Sequence, residues 1–225
     1  MRSFMVENHS PFSKPYVIVI AGYVGSGKST IAASLSKVLD NAPVLVFDHY
    51  EKCIAWPHDM NQWLMDGADL DQIRIPKLKE DLLSLLKGIP VTDPFDGKIL
   101  APAKYLLLEE PSGRERGEIK AYIDMVVYID APQDVCVARM IERVIDMDVW
   151  NSQGTFEGEK KEDIVRQLNA VTSWITHYQQ ARSMYMVGSR RVQQKADIVV
   201  NGLKTVNEIT TDIVNVIKNI QLKPA

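Results

Sequence analysis

The chain has 225 residues, which is enough to bury the core of one domain of ordinary size. Its hydrophobic content of 46% and charged content of 24% are typical of a soluble globular protein, and 26 basic residues against 29 acidic ones leave a net charge of −3. A balance this close to neutral gives no general attraction to nucleic acid or to membrane surfaces. We therefore predict a single domain over residues 1–225 and exclude both classes of partner.

The two cysteines and the N-terminal segment indicate the compartment. Cys53 lies in a polar stretch and Cys136 within an apolar helical pattern, so both are expected to be free thiols in a reducing environment. Residues 1–15 form an N-terminal extension that contains Pro11 and Pro15 but no apolar run of the kind that a secretory signal needs. These features predict a cytoplasmic protein.

The first predicted element, an apolar strand at 16–21, leads directly into a phosphate-binding loop of the form Gly-x-x-x-x-Gly-Lys-Ser. Glycines let the backbone curl so that successive N–H groups face one anion, and the helix that starts at Lys28 adds the positive end of its dipole. Lys28 is expected to reach the β- and γ-phosphates of ATP, and Ser29 to place its hydroxyl on Mg²⁺. The residues predicted to bind ATP are Gly22, Tyr23, Val24, Gly25, Ser26, Gly27, Lys28, Ser29 and Thr30.

Two other interpretations of this glycine-rich turn are weaker. A turn without a ligand explains the glycines but does not require Lys28 and Ser29 at the helix start. A dinucleotide-binding turn would continue Gly25-Ser-Gly27 with a third glycine, and that position holds Thr30 instead. The sequence therefore favours a nucleotide that is bound through its phosphates.

Apolar strands and helical patterns alternate along the rest of the chain, which predicts a parallel sheet. Because the strands are apolar on successive residues, helices should cover both faces of this sheet. We therefore predict an α/β fold with a doubly wound, mainly parallel five-stranded sheet. The predicted strands are 16–21, 44–47, 104–108, 125–129 and 197–200, and the predicted helices are 28–39, 76–87, 132–146, 160–187 and 205–219.

A polar segment with two glycines separates the predicted helices at 132–146 and 160–187. Loops of this kind close over a reacting nucleotide and exclude water, although an ordinary surface connection can have the same composition. We predict a small lid over residues 147–160.

Acidic residues directly follow the second and third predicted strands, at the edge where open α/β sheets bind their ligands. Asp48 follows the second strand, and Glu109 and Glu110 follow the third. Phosphoryl transfer to an alcohol needs a carboxylate that orients the acceptor hydroxyl and takes its proton, and further negative charge that helps to hold Mg²⁺. We predict Asp48 as the base and favour Glu109 over Glu110 as the metal residue, since Glu109 comes first after the strand.

The helix at 132–146 carries two arginines on one face, just before the predicted lid. Arg139 and Arg143 are four residues apart, and we predict that they stabilise negative charge on the transferring phosphoryl group. A solvated face paired with acidic neighbours is the alternative. Arg114, in the loop after the third strand, is a candidate contact for an anionic or hydroxylated acceptor, or else an exposed loop charge.

These motifs together resemble the uridine kinase family within the P-loop kinases, a group that also includes phosphoribulokinase and bacterial pantothenate kinase. The resemblance covers most of the chain from Tyr16 to Ile217. It rests on the phosphate-binding loop, on Phe47-Asp48-His49-Tyr50, on Leu108-Glu109, which is similar to a strand-terminal Glu-Gly, on Tyr128-Ile129-Asp130 before an arginine-bearing helix, and on Lys195-Ala196-Asp197-Ile198-Val199-Val200, which is similar to the family's Tyr-Ala-Asp-Ile-Ile-Val.

The resemblance implies a fold like that of the nucleoside and nucleotide kinases, and ATP-dependent, Mg²⁺-assisted phosphorylation of a small-molecule hydroxyl with Asp48 as the base. A nucleoside such as uridine or cytidine is the leading acceptor, and pantothenate, a sugar or a sugar phosphate is the alternative. The family's acceptor motif Asp-His-Pro-x-Ala-Phe-Asp is replaced in this chain, so Tyr50 and either Asp69 or Asp71 are the nominated acceptor contacts. The resemblance also implies a homo-oligomer as one possible assembly.

A protein of a different class would carry the same phosphate-binding loop. A regulatory P-loop ATPase hydrolyses ATP slowly and acts through contacts with partner proteins, so it needs no acceptor pocket. Such a protein would tolerate the replacement Asp48→Asn, whereas a kinase would not.

Overall fold

A parallel sheet organises the chain, whose computed structural model describes residues 14–151 and 161–221. The strands are β1 (Tyr16–Gly22), β2 (Val44–Val46), β3 (Val91–Thr92), β4 (Ile99–Leu100), β5 (Tyr105–Glu109), β6 (Met125–Asp130) and β7 (Ile198–Asn201). Five of them form the sheet in the order β2-β5-β1-β6-β7, and each neighbouring pair is parallel. The predicted five-stranded parallel sheet is therefore confirmed, while β3 and β4 form a separate antiparallel hairpin that was not predicted.

The helices of the described residues agree with the predicted pattern and add two short ones. They are α1 (Lys28–Val38), α2 (Met60–Met65), α3 (Pro76–Leu86), α4 (Gly117–Lys120), α5 (Gln133–Asn151), α6 (Lys161–Gln194) and α7 (Val206–Gln221), with 3₁₀ segments at Phe47–Cys53, Leu70–Gln72 and Gly113–Glu115. The short helices α2 and α4 were not predicted because fewer than two turns show no clear period.

The predicted lid and the N-terminal extension fall largely on residues that are not described. Helix α5 continues five residues past its predicted end, so residues 147–151 of the predicted lid are helical. Residues 152–160 of that lid and residues 1–13 of the extension lie outside the described part of the chain. The lid therefore stays a prediction.

Alternate side chains of β1 enter two separate cores, one on each face of the sheet. Val17 and Val19 belong to a core that includes apolar residues of α3, whereas Ile18 and Ile20 belong to a core that includes apolar residues of α1 and α7. All four side chains are fully buried. Helices thus cover both faces, as the doubly wound prediction requires.

None of the helices in the described ranges combines the length and the apolarity that a membrane crossing requires.

Replacement of a central core residue tests this two-core arrangement. Leu107 in β5 is fully buried, so Leu107→Ala should lower the free energy of unfolding by about 2–5 kcal/mol through lost apolar contacts and a residual cavity. Val199→Ala on β7, where the side chain is 49% exposed, should change it by less than about 1 kcal/mol. Urea unfolding of both variants measures the difference, and equal losses would contradict the arrangement.

Candidate active site

The loop between β1 and α1 has the backbone that a phosphate cradle needs. Gly25 and Gly27 have φ angles of 79° and 100°, in the left-handed region that glycine adopts without strain. A side chain at Gly25 would collide with the carbonyl of Cys136 in the first turn of α5, whereas the space beside Gly27 is open. The loop therefore packs tightly against α5 on one side and stays accessible at the start of α1.

Lys28 lies at the centre of a small group of charges. Its Nζ donates a hydrogen bond of 3.3 Å to the carbonyl oxygen of Tyr23, so the side chain folds back over the loop. Burial lowers the pKa of Lys28, and the negative charges of Glu109 and Asp48 oppose that effect. The ammonium is thus held at the phosphate-binding loop between two carboxylates, which are the two that the sequence nominates as metal residue and base.

Glu109 is buried at the end of β5, with only 3% of its surface exposed. Burial raises the pKa of Glu109, while the charge of Lys28 and a hydrogen bond from the Ser29 hydroxyl lower it. Its Oε2 has no hydrogen-bond partner among the described residues, and the same holds for the buried Oγ of Ser26. A buried carboxylate oxygen without a donor is costly unless a ligand completes its environment.

The oxygens of Ser29 and Glu109 fit Mg²⁺ in kind and in placement. This ion prefers hard oxygen ligands and is usually held by one or two carboxylates together with phosphate oxygens and water. Here a serine hydroxyl and a carboxylate with one unpartnered oxygen lie together at the start of the helix that follows the phosphate-binding loop.

Glu110 is committed elsewhere and cannot share this role. Both of its carboxylate oxygens accept hydrogen bonds from the Arg116 guanidinium, at 3.1 and 3.2 Å, and Oε1 also accepts from the backbone N–H of Ser112 at 2.8 Å. The residue is fully buried. Of the two adjacent glutamates, Glu109 is the one with an unpartnered oxygen, a hydrogen bond from Ser29 and a pKa lowered by the charge of Lys28.

Asp48 begins the path from β2 into the 3₁₀ segment Phe47–Cys53 and is exposed. Its negative charge raises the pKa values of Lys28, Glu109 and Tyr185, after burial as the largest cause for Glu109 and Tyr185. These three groups come from α1, β5 and α6 respectively. Asp48 therefore faces the phosphate-binding region and remains accessible to a second substrate.

The two arginines of α5 engage different neighbours. Arg139 donates from Nη2 to the carbonyl of Gly202 at 3.1 Å, in the turn that follows β7. Arg143 is exposed, and its positive charge lowers the pKa of Glu109. Arg143 is thus oriented toward the charged group, whereas Arg139 is tied to the neighbouring strand end.

The nominated acceptor contacts differ in how accessible their side chains are to a substrate. Tyr50 is fully buried and donates its hydroxyl to Asp81 at 2.9 Å, and burial followed by the Asp81 charge raises the pKa of Tyr50. Asp71 accepts a hydrogen bond from the backbone N–H of Gly117. Asp69 is exposed and accepts from the backbone N–H of Asp71 at 3.0 Å. Tyr50 therefore has a structural role, whereas Asp69 and Asp71 are both exposed, Asp71 with one oxygen bound to the Gly117 N–H.

Arg114 lies at the opposite edge of the sheet. It pairs with Asp197 at 2.7 Å and donates to the carbonyl of Asp124 at 3.0 Å, and these residues immediately precede β7 and β6. The phosphate-binding loop follows the other end of the parallel strands. The ion pair holds Arg114 among the strand starts, and its role as an acceptor contact stays a prediction.

Two groups of aromatic residues near the site were not predicted. The Tyr23 and Tyr178 hydroxyls form a hydrogen bond of 2.9 Å, and Tyr178 stacks with Trp174 and Tyr185 on α6. Their spacing along α6 is a helical stripe, and a stripe of that kind is indistinguishable from core packing in sequence alone.

The second group joins Asp48's neighbour to the β3–β4 hairpin. His49 Nδ1 lies 2.7 Å from the buried Asp93 carboxylate, and the His49 ring stacks on Phe95 with centroids 4.8 Å apart. Phe95 is 76% exposed. No local pattern connects His49 to a hairpin more than forty residues later, as the 44-residue separation of His49 and Asp93 shows.

No family model matches the chain, but curated relatives do. It is 28% identical to uridine kinase of Shewanella piezotolerans over 221 residues, which are 88% of this chain and 92% of that protein. It is 23% identical to uridine kinase of Borreliella burgdorferi over 70% of this chain and 77% of that protein. It is 26% identical to uridine kinase of Saccharomyces cerevisiae over 60% of this chain, and this match spans only 30% of the yeast protein.

Among solved structures, one that the chain matches is described as a putative fructose transport system kinase from Silicibacter sp. TM1040. The TM-score is 0.45 and the sequence identity 16%, and the match covers 87% of this chain and 93% of that one. The curated relatives confirm the resemblance that the sequence motifs indicated.

The raised pKa of Glu109 predicts a specific dependence of stability on pH. The folded protein keeps this proton above the usual pKa of 4.5, so between 4.5 and the raised value the folded state binds more protons than the unfolded state. The free energy of unfolding of the nucleotide-free protein should therefore fall as pH rises through this window. Glu109→Gln cannot lose the proton, so the variant should lack this part of the decline.

Urea unfolding between about pH 4 and pH 8 measures this effect, since that range brackets the titration of a carboxyl with a raised pKa. The matched control is Glu51→Gln, at an exposed glutamate of the 3₁₀ segment after β2. Parallel profiles for wild type and Glu109→Gln would show that Glu109 is ionised like an ordinary surface carboxylate.

Proposed function

We propose that this uridine kinase-like P-loop kinase, an ATP-dependent small-molecule kinase, transfers the γ-phosphoryl group of ATP to a hydroxyl of a nucleoside. The observation that carries the proposal is the convergence of two carboxylates with different environments on Lys28. Glu109 is buried with an unpartnered oxygen, and Asp48 is exposed. The names of the curated relatives support a nucleoside as the acceptor.

The phosphates of ATP would lie on the loop from Gly22 to Thr30. Backbone N–H groups and the start of α1 supply the partial positive charge, and Lys28 supplies a full one next to the β- and γ-phosphates. Ser29 and Glu109 would hold Mg²⁺, and the ion would supply positive charge that neutralises the phosphates. The remaining polar groups then act on the acceptor and on the charge that develops during transfer.

Asp48 would orient the acceptor hydroxyl and take its proton. The hydroxyl oxygen forms the new bond to the γ-phosphorus, the bond from phosphorus to the β,γ-bridging oxygen breaks, and ADP leaves. Arg143 lies on the side of Glu109 and would add positive charge during transfer, while Arg139 would fix the start of α5 through Gly202.

The surroundings of Asp48 support a flat acceptor with polar groups. The charge of Asp48 raises the pKa of Tyr185 after burial, and His49, which follows Asp48 in the chain, stacks on Phe95. Aromatic faces favour stacking with planar rings such as a nucleobase. A non-aromatic acceptor such as pantothenate, a sugar or a sugar phosphate is the second candidate, and the exposed Asp69 carboxylate would suit its hydroxyls.

A panel of acceptors tests the activity directly. ADP release from Mg·ATP is measured with nucleosides, pantothenate, sugars and sugar phosphates, using wild type and Lys28→Ala. We expect turnover with a nucleoside that falls by about 10²-fold or more in Lys28→Ala, because the phosphate charge loses its buried cation. Lys37→Ala, at an exposed lysine in the last turn of the same helix, should behave as wild type.

The same panel decides between the candidate functions. Turnover with a sugar or pantothenate but with no nucleoside would replace the acceptor class. ATP hydrolysis that no acceptor accelerates would favour the regulatory ATPase over the kinase.

Asp48→Asn separates phosphoryl transfer from nucleotide binding. Loss of the base should lower kcat by about 10²–10⁴-fold, while the affinity for ATP stays nearly unchanged because the phosphate-binding loop is intact. Steady-state kinetics and calorimetric titration with ATP measure the two quantities, and Asp66→Asn at an exposed position in the C-terminal turn of α2 is the control. Full transfer activity in Asp48→Asn would refute the assignment of the base.

A further inference from the structure

Arg116 is the largest fully buried side chain of the described residues, with 1% of its surface exposed. Its guanidinium donates to both carboxylate oxygens of Glu110, to the Ser112 hydroxyl at 3.2 Å and to the carbonyl of Ile73. The cation also lies over the ring of Phe47, 5.4 Å from its centroid. One buried charge thus contacts three separate segments, which follow β2, α2 and β5.

The first consequence concerns Glu109. Its neighbour Glu110 continues the pairing of β5 with β1 through a backbone hydrogen bond of 3.3 Å to Ile20. Successive residues of a strand point to opposite faces of the sheet. Anchoring the Glu110 carboxylate to Arg116 on one face therefore directs the Glu109 carboxylate to the other face, where α1 presents Lys28 and Ser29.

The second consequence concerns Asp48. Phe47 immediately precedes it and opens the 3₁₀ segment Phe47–Cys53, and the Arg116 cation lies against the Phe47 ring. A cation over an aromatic face is attracted to it, more strongly when both are removed from water. The contact thus holds the residue that immediately precedes Asp48.

A third set of contacts fastens the segment after α2 to the same place. The backbone N–H of Ile75 donates to Glu118 at 2.7 Å, and the backbone N–H of Gly117 donates to Asp71. A side chain at Gly117 would collide with the Asp71 carboxylate, so the two segments meet without a gap. These contacts, together with the hydrogen bond from Arg116 to Ile73, hold residues 71–75 and 116–118 together.

Stability alone is a weak reason to retain such a pair. Taking two charges out of water costs free energy that their attraction often fails to recover, and apolar replacements of similar volume are often as stable. The pair therefore needs an explanation other than stability.

We propose that Arg116, paired with Glu110, is a positioning residue that sets the relative placement of the Asp48 and Glu109 carboxylates. The inference rests on the proposed function, since it assigns the ion pair a role in the geometry of that centre. Arg116 itself touches neither ATP nor the acceptor. It acts through Phe47 on the base and through Glu110 on the metal residue, just beyond the point where the pairing of β2 with β5 ends at Val46 and Glu109.

The decisive variant removes both charges together. Glu110→Leu combined with Arg116→Met leaves no unpaired buried charge, so its melting temperature should stay close to that of wild type. Without the Arg116 contacts to Phe47 and Glu110, the Asp48 and Glu109 carboxylates should shift relative to each other and kcat should fall by about 10–100-fold, because a misplacement of about 1 Å costs that much. The KM for ATP should change by less than about twofold, since the phosphate-binding loop is untouched.

Two further variants separate positioning from folding. Arg116→Lys keeps the charge but loses the paired hydrogen bonds, and it should fold and lose about tenfold in kcat. Arg74→Met removes an exposed arginine next to Ile73 and should match wild type in every measurement. Wild-type kcat in both the double variant and Arg116→Lys would overturn the proposal, and if the double variant does not fold, Arg116→Lys alone decides.

A binding measurement keeps this test independent of the acceptor. Calorimetry gives the affinity of wild type and Arg116→Lys for ATP with and without Mg²⁺. We expect the gain in affinity from Mg²⁺ to be at least about threefold smaller in the variant, because Glu109 is misplaced for the ion. An equal gain would overturn the proposal, whereas the absence of acceptor-dependent turnover in wild type would overturn only the proposed function.

Discussion

The position of β1 at the centre of the sheet is the constraint on which the site depends. The strand is hydrogen-bonded on both sides, with Ile20 opposite Glu109 of β5 and Gly22 opposite Ile129 of β6. This register brings the phosphate-binding loop out of the sheet just beyond the level of Glu109. Because parallel strands all end at one edge, Asp48 after β2 reaches the same region without any further adjustment.

The site that this sheet positions contains charged side chains whose burial costs free energy. Lys28 and Glu109 are both penalised by burial, and each relieves part of the penalty on the other. The unpartnered oxygen of Glu109 shows that relief is incomplete. Sites that bind ligands commonly keep such unsatisfied groups, and the surrounding packed core, with β1 fully buried on both faces, supplies the stability that they give up.

Local patterns in the sequence were sufficient for the sheet, the five long helices and the phosphate-binding loop. Each depends on residues within one segment, as the apolar run 16–21 and the spacing from Gly22 to Ser29 illustrate. Glu109 was preferred over Glu110 from its place directly after the strand, and the Arg116 contact supplies the physical reason. Ile73 and Phe47 are both far from Arg116 in sequence, so these contacts leave no local pattern.

The placements of Arg114 and Tyr50 show what local sequence patterns do not predict. Both follow strands closely in sequence, which made them candidates for the ligand-binding edge. Arg114 returns to the opposite edge to meet Asp197, and Tyr50 turns inward to meet Asp81, which is 31 residues away. The identity of the partner decides the direction of the side chain in each case, and a single sequence does not reveal that partner.

The tight packing of Gly25 against the carbonyl of Cys136 couples the orientation of α5 to the phosphate-binding loop. From Cys136 to Asn151 the helix extends about 22 Å at 1.5 Å per residue. A rotation of α5 by about 5° about Cys136 would displace its far end by about 2 Å, a distance comparable to the rise of one residue in a helix. A change in the backbone of the phosphate-binding loop would therefore change the position of the far end of α5.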